Sequence, residues 1–239
     1  MEAWCRGSII IISNIMYFPY SFWAGSNFLR DMIAFWTFNN GSDIGNDDYN
    51  GFDLTLNGSI TNPAGKFGKA IYNAADGSAY VDVADPNKKF NLSTDKTFCF
   101  WFKGDDAESG GAYFIGKYYN SPGTNYLAAY SASHLDFLID TSVSTYTAVS
   151  QSVISNSVWY MATLRHYLLQ KKISVQVNDN TPVEETYTGN PQTYDQNFNA
   201  LEVGAVGSAI DHLGVWNRVL SLTESNTLYN NGKGLEIFR

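Results

Sequence analysis

Cysteine, histidine and basic charge are all scarce in this 239-residue chain, and each scarcity removes a class of protein. Two cysteines, Cys5 and Cys99, cannot build a disulfide framework, so stability has to come from a packed core. Three histidines, at 134, 166 and 212, show no zinc-ligand spacing with each other or with the cysteines. Lys and Arg number 15 against 23 Asp and Glu, for a formal charge of −8 with no basic run. Phosphate-backbone binding needs a basic patch, so nucleic acid is not an expected partner. There is no G-x-S-x-G elbow, no dinucleotide fingerprint and no phosphate loop between a strand and a helix.

What is present is apolar and aromatic. Hydrophobic residues make up 44% of the chain, with 16 Tyr, 15 Phe and 6 Trp, enough to bury a large core. At this length an all-β sandwich runs as one domain. The acidic surface, rich in Asn, Ser, Thr and Gly, fits a secreted or particle-surface protein and equally fits simple solubility.

Residues 1–31 stand apart. No residue from Gly7 to Leu29 is charged, while Pro19 and interspersed Ser and Asn make the stretch a poor membrane span, so no stable transmembrane segment is expected. Three readings remain open. Arg6 before the run and Ala24-Gly25-Ser26 after it suit a secretory signal with a small-residue cleavage site. Alternatively the segment is an arm that docks on other subunits of an assembly, or an extension ahead of a start at Met32. The domain proper is expected over 32–239.

Beyond Met32 the chain reads as strand after strand, separated by Gly, Asn, Asp, Ser and Pro. The expected strands are Ile33–Phe38, Phe52–Leu56, Lys69–Tyr72, Ala79–Val83, Thr97–Lys103, Ala112–Tyr118 and Tyr126–Tyr130. They continue with Leu135–Asp140, Tyr146–Ser150, Trp159–Arg165, Ile173–Val177, Glu184–Tyr187, Leu201–Val203 and Ile210–Trp216. Phe52, Leu54 and Leu56 alternate with polar residues, as do Ile173, Val175 and Val177, which predicts one wet face for each strand. Phe98 to Phe102 is apolar on both faces, which predicts a strand that is either central and covered twice or lines a concave ligand groove, central burial being the preferred reading. The one helix signal is terminal, where Ser221 and Glu224 form a capping box and Gly232 is placed to stop the helix.

The ordered motifs resemble the laminin-G-like jelly roll of the concanavalin A-like lectin and glucanase superfamily. The resemblance runs from about Ile33 to Gly232. It rests on IAFWTFNNGS, on DDYNGFDLTLNG with Asp48, Asn50, Gly51, Leu54 and Gly58, and on PAGKFGKAIYNAADGSAYVDV with Gly65, Phe67, Gly68 and Ala70. TFCFWFK, VWYMATLR, ISVQVND, LEVGA and IDHLGVWNRVLSLTESNTLYNNG follow in family order. The resemblance implies an all-β fold: a two-sheet antiparallel jelly-roll sandwich with one short C-terminal helix.

Glucanases of this family carry Glu-x-Asp-x-Glu along one strand, and this chain has no such run. In LDFLID, Asp136 and Asp140 share a face with Leu138 between them, so they read as solvent-facing charges. The expectation is therefore a non-catalytic carbohydrate-recognition or adhesion domain, extracellular or on a particle surface, with a glycan or cell-surface ligand. A virus or phage decoration or fibre protein is the alternative. The resemblance also implies a structural calcium held by Asp48, Asn50, Asp53 and Asp211, with Asn39 and Asn40 where acidic residues are common. Ordinary turn chemistry at Asp47, Asp48 and Asp53 is the competing reading. Glycan recognition uses exposed rings beside amides, which points to Tyr118, Tyr119 and Asn120 and to Tyr194 and Asn197, although such rings also serve to pin loops. His212 reads as a surface residue.

Overall fold

The computed structural model describes residues 28–73, 80–85, 87–104, 112–117, 125–131, 133–192, 200–204 and 208–238. The strands are β1 (Met32–Trp36), β2 (Thr55–Asn57), β3 (Ile60–Thr61), β4 (Ile71–Asn73), β5 (Tyr80–Ala84), β6 (Lys96–Gly104), β7 (Ala112–Lys117) and β8 (Tyr126–Ser131). They continue with β9 (His134–Asp140), β10 (Thr145–Val149), β11 (Tyr160–Tyr167), β12 (Lys172–Val177), β13 (Val183–Thr186), β14 (Ala200–Val203) and β15 (Ser208–Trp216), before helix α1 (Leu222–Tyr229). Each expected run overlaps one of these, least so Phe52–Leu56, which shares only Thr55 and Leu56 with β2. Strand β3 is additional, and its two residues are too few to carry a pattern.

Two antiparallel sheets form the sandwich. One has the order β13-β12-β11-β6-β15-β4-β3 with β1 also paired to β15, and the other has the order β10-β9-β8-β7-β14-β5-β2. Strand β6 shows how the sequence builds the layers. Phe98, Phe100 and Phe102 point between the sheets, where Phe102 meets Phe114 at 4.8 Å and Phe98 meets Tyr126 at 5.2 Å between ring centroids. Cys99 and Trp101 point the other way into a second core with Phe28, Phe35, Met161, Trp216 and Leu228, beneath α1 and the C-terminal tail. Strand β6 is apolar on both faces because both faces are covered, as its composition predicts.

Two alternation readings need correction. On β12, Ile173, Val175 and Val177 do face the main core, but Ser174 and Gln176 are not wet, being 0% and 1% exposed. Gln176 is bonded beneath α1, where its Nε2 donates to Asn226. In the second run the alternation ends early, because Leu54 is buried whereas Leu56 is exposed on the short strand β2. Leu56 pairs only with β5 and gains no covering layer.

The capping box forms as its spacing requires. Ser221 accepts from the Glu224 backbone N–H while the Glu224 carboxylate accepts from the Ser221 backbone N–H. The helix stops earlier than expected, at Asn230 in the left-handed conformation, and Gly232 falls in a following 3-10 turn. An Asn tolerates that conformation through its short polar side chain, so it ends the helix before the glycine is reached. At the other end the chain enters the domain ahead of β1, where the Phe28 carbonyl accepts from the Trp216 indole N–H. Among the described residues no helix is long and apolar enough to cross a membrane.

Candidate functional site

The five residues expected to contact a glycan, Tyr118, Tyr119, Asn120, Tyr194 and Asn197, lie outside the described residues. Their flanking strands are described and adjacent. Glu202 of β14 is opposite Gly116 of β7, so the end of β7 and the start of β14 share one end of the sheet.

Of the four residues expected to hold calcium, the three aspartates have oxygens that accept from protein donors. Asp48 accepts from the Thr37 backbone N–H at 2.9 Å and the Thr37 hydroxyl at 2.8 Å, and from Asn46. Asp53 accepts from the Asp47 backbone N–H, and the Asn50 amide donates to the Ile33 carbonyl. Asp47 itself accepts four backbone N–H groups, those of Phe35, Tyr49, Asn50 and Phe52. This is turn chemistry of the kind short acidic residues perform.

Asp211 lies on β15, the strand paired with β1. It is fully buried on β15 and accepts from the Phe67 backbone N–H at 2.7 Å and from His212 Nδ1 at 2.8 Å. Burial raises its pKa against the hydrogen bonds from His212 and Phe67. The Gly65-Lys66-Phe67-Gly68 turn is thus held by this carboxylate. A Cβ on Gly65 would come within 2.5 Å of Asp211 Oδ2, and Gly68 has φ +64. His212 is not on the surface: it is 5% exposed, with its ring against Phe35 and Phe67. Among the described residues no three His, Cys, Asp or Glu side chains come together as a metal-holding group.

Asp136, Leu138 and Asp140 alternate with buried Leu135, Phe137 and Ile139, so the two carboxylates do share the outer face of β9. Asp140 accepts from the Thr145 hydroxyl, and burial raises the pKa of Asp136. A second acidic pair escapes sequence reading because its members are far apart in the chain. Asp82 on β5 is directly opposite Glu202 on β14. Burial raises both pKa values, and the Asp82 charge raises that of Glu202 further. Neither lines the cavities described next.

One cavity, of about 380 Å³, opens at the rim beside the start of β1. Its polar lining comes from Asp31, Asn50, Lys88, Lys89, Lys96 and Asn217. The segment presenting Lys88 and Lys89 is anchored from below. Asp85 accepts from the backbone N–H groups of Lys89 and Phe90 and forms a buried ion pair with Lys117 at 2.7 Å, while Lys117 also donates to Asn91. The Tyr126 hydroxyl fixes the Phe90 carbonyl. Lys88 and Lys89 stay exposed, whereas Lys96 is 2% exposed. The Lys96 ammonium donates to two neutral oxygens, Thr94 Oγ1 and Asn217 Oδ1. Burial lowers its pKa to about 8, partly offset by the charge of Asp85. The sequence signal for this pocket is a Lys-Lys pair in the polar stretch DPNKKFNLSTDK of an otherwise acidic chain.

A larger cavity, of about 810 Å³, lies on the outer face of the first sheet beside the start of α1. Arg165, Tyr167, Thr181, Val183, Glu184 and Leu222 contribute to its walls.

Two antiparallel sheets packed face to face with two covered cores define a jelly-roll sandwich. The chain belongs to the concanavalin A-like lectin/glucanases superfamily, whose Laminin_G_3 model matches residues 75–224. None of the curated proteins matches it in sequence. Among solved structures it is similar to the binding domain of Paraclostridial Mosquitocidal Protein 1, with a TM-score of 0.70 and 14% identity over 85% of this chain and 52% of that one. The Botulinum Neurotoxin Type G receptor binding domain gives a TM-score of 0.65 and 10% identity over 84% and 51%. The binding domain of Botulinum Neurotoxin DC in complex with SialylT gives 0.65 and 15% over 84% and 51%. The chain spans about half the length of each of these structures. At such identities the likeness is one of fold.

Proposed function

We propose that this chain is a non-catalytic recognition domain, acting outside the cell, that holds an anionic glycan or cell-surface ligand in the rim pocket. The observation that carries the reading is Lys96. It is a buried cation that, among the described residues, hydrogen-bonds only neutral oxygens, with the Asp85 and Asp95 charges acting on it without direct contact, and a cation removed from water without a contacting anion is costly. A ligand carboxylate or sulfate supplies an anion in direct contact.

Lys88 and Lys89 add two exposed cations at the same pocket, and Asn50, Ser93, Thr94 and Asn217 offer the amides and hydroxyls that bond sugar hydroxyls. On a molecule of charge −8, three clustered lysines attract an anion where the rest of the surface repels it. Membership of a lectin and glucanase superfamily supports carbohydrate as the ligand class. The similar toxin domains, one a receptor binding domain and one a binding domain in complex with SialylT, support recognition as a use of the fold. The lack of a Glu-x-Asp-x-Glu strand favours binding over hydrolysis.

A glycan array probed with the full chain tests this. Sialylated, uronic-acid or sulfated glycans are expected to be retained and neutral ones not. Joint Lys88→Glu and Lys89→Glu substitution should weaken binding at least ~10-fold at about 0.15 M salt. The same retention is expected in EDTA and in about 1 mM calcium, because the pocket is built from ammonium, amide and hydroxyl groups. Equal retention of neutral glycans, or charge reversal without effect, overturns the reading.

A further inference from the structure

The cavity beside α1 contains an unmatched cation of its own. Arg165 projects from β11 onto the outer face of the first sheet, is 2% exposed, and lines this cavity of about 810 Å³. Its Nε donates to the Leu220 carbonyl at 2.8 Å, and its Nη2 donates to Gln176 Oε1 and Ser225 Oγ, each at 2.7 Å. Nη1 has no acceptor. Every oxygen that receives the guanidinium is neutral, and the neighbouring carboxylates are committed elsewhere: Glu184 to Lys172 at 2.8 Å and Glu224 to Arg218 at 2.7 Å.

Beside it in register, between Arg165 and Glu184, stands Ser174, fully buried with a hydroxyl that also lacks a partner. Buried polar groups are bonded in folded proteins with few exceptions, and a guanidinium edge matches a carboxylate better than any other anion. The cavity walls combine Tyr167, Pro182 and Val183 with Gln151, Thr181 and Ser221, apolar faces beside hydroxyl and amide groups.

We infer that this cavity is a second binding site, distinct from the rim pocket, for a sugar acid whose carboxylate engages Arg165. Its volume lies in the range of small-molecule sites, ~300–1,000 Å³. Thermal melting of the full chain carrying Lys88→Glu and Lys89→Glu, so that the rim pocket does not report, tests the assignment with glucuronate, glucose, acetate and chloride at matched ionic strength. Glucuronate at a hundredfold excess over its Kd should raise Tm by ~5 °C, with glucose and chloride inert and acetate at least ~10-fold weaker. Arg165→Met should abolish the shift. Should that variant fail to fold, Leu222→Trp decides, because it fills the cavity mouth from a half-exposed position and leaves the bonds of Arg165 in place. A shift with glucose or chloride equal to that with glucuronate, acetate as effective as glucuronate, or a shift that survives Leu222→Trp overturns the assignment.

Discussion

His166 illustrates how a buried side chain can make stability depend on pH without any switch in function. Its Nδ1 donates to the Thr94 carbonyl at 2.9 Å, so its Nε2 is the acceptor for the Tyr187 hydroxyl at 2.7 Å, and the ring is neutral in the fold. Burial lowers its pKa from 6.5 to about 4, against the bond to Thr94. The unfolded chain therefore binds a proton in a window where the native state does not. Stability from this group is complete above pH 6.5 and is lost as pH falls toward 4, by about 3 kcal/mol in the limit. Urea midpoints measured at intervals across that window should fall more steeply for the native sequence than for His166→Gln, and parallel slopes would contradict the assignment. The sequence shows a histidine in an apolar strand and no more. Its partner Tyr187 arrives from the far side of a hairpin, and Asp47 is similar, since its four N–H donors are set by a turn that no spacing rule specifies.

Elements were readable wherever one physical signal sufficed. Alternation located the strands, and S-x-x-E located α1, because both patterns depend only on near neighbours in the chain. Glu224 does more than the box requires: its carboxylate also takes a two-pronged contact from Arg218, whose Nε holds the Arg30 carbonyl. Burial opposes ionisation, but the bonds from Arg218 and Ser221 hold its pKa below the ordinary value. Ser221→Ala should cost ~1 kcal/mol, and Glu224→Ala, which frees both Ser221 and Arg218, ~2 kcal/mol, read from denaturation midpoints. Equal costs would mean that the Arg218 contact contributes nothing. What alternation could not reveal is the fate of a polar face. Ser174 and Gln176 look solvent-directed from their own strand, yet both are buried, Gln176 through bonds to Ser225 and Asn226 of the C-terminal helix that returns over the sheet. The same long-range covering turns the Arg165 face into a cavity.

At the scale of the whole molecule, the succession of strand runs pointed to an all-β sandwich or barrel, and the ordered motifs resembled the superfamily to which the chain belongs, because both are sums over the chain. The rim pocket is a different kind of feature. It gathers Asn50 from one loop, Lys88 and Lys89 from another, Lys96 from the start of β6, and Asn217 from just after β15, residues that only the topology brings together. Its physical basis is a buried ammonium bonded to neutral oxygens rather than to a carboxylate, within a molecule of net charge −8. Amide chemical-shift mapping of the full chain, titrated with a sialylated or sulfated oligosaccharide chosen from the array, tests that basis most directly. The account predicts saturable shifts concentrated at Asn50, Lys88, Lys89, Ser93, Lys96 and Asn217, which shrink as salt is raised. Shifts centred on the outer face of β9 around Asp136 and Asp140, or cleavage of the oligosaccharide during the titration, would contradict it.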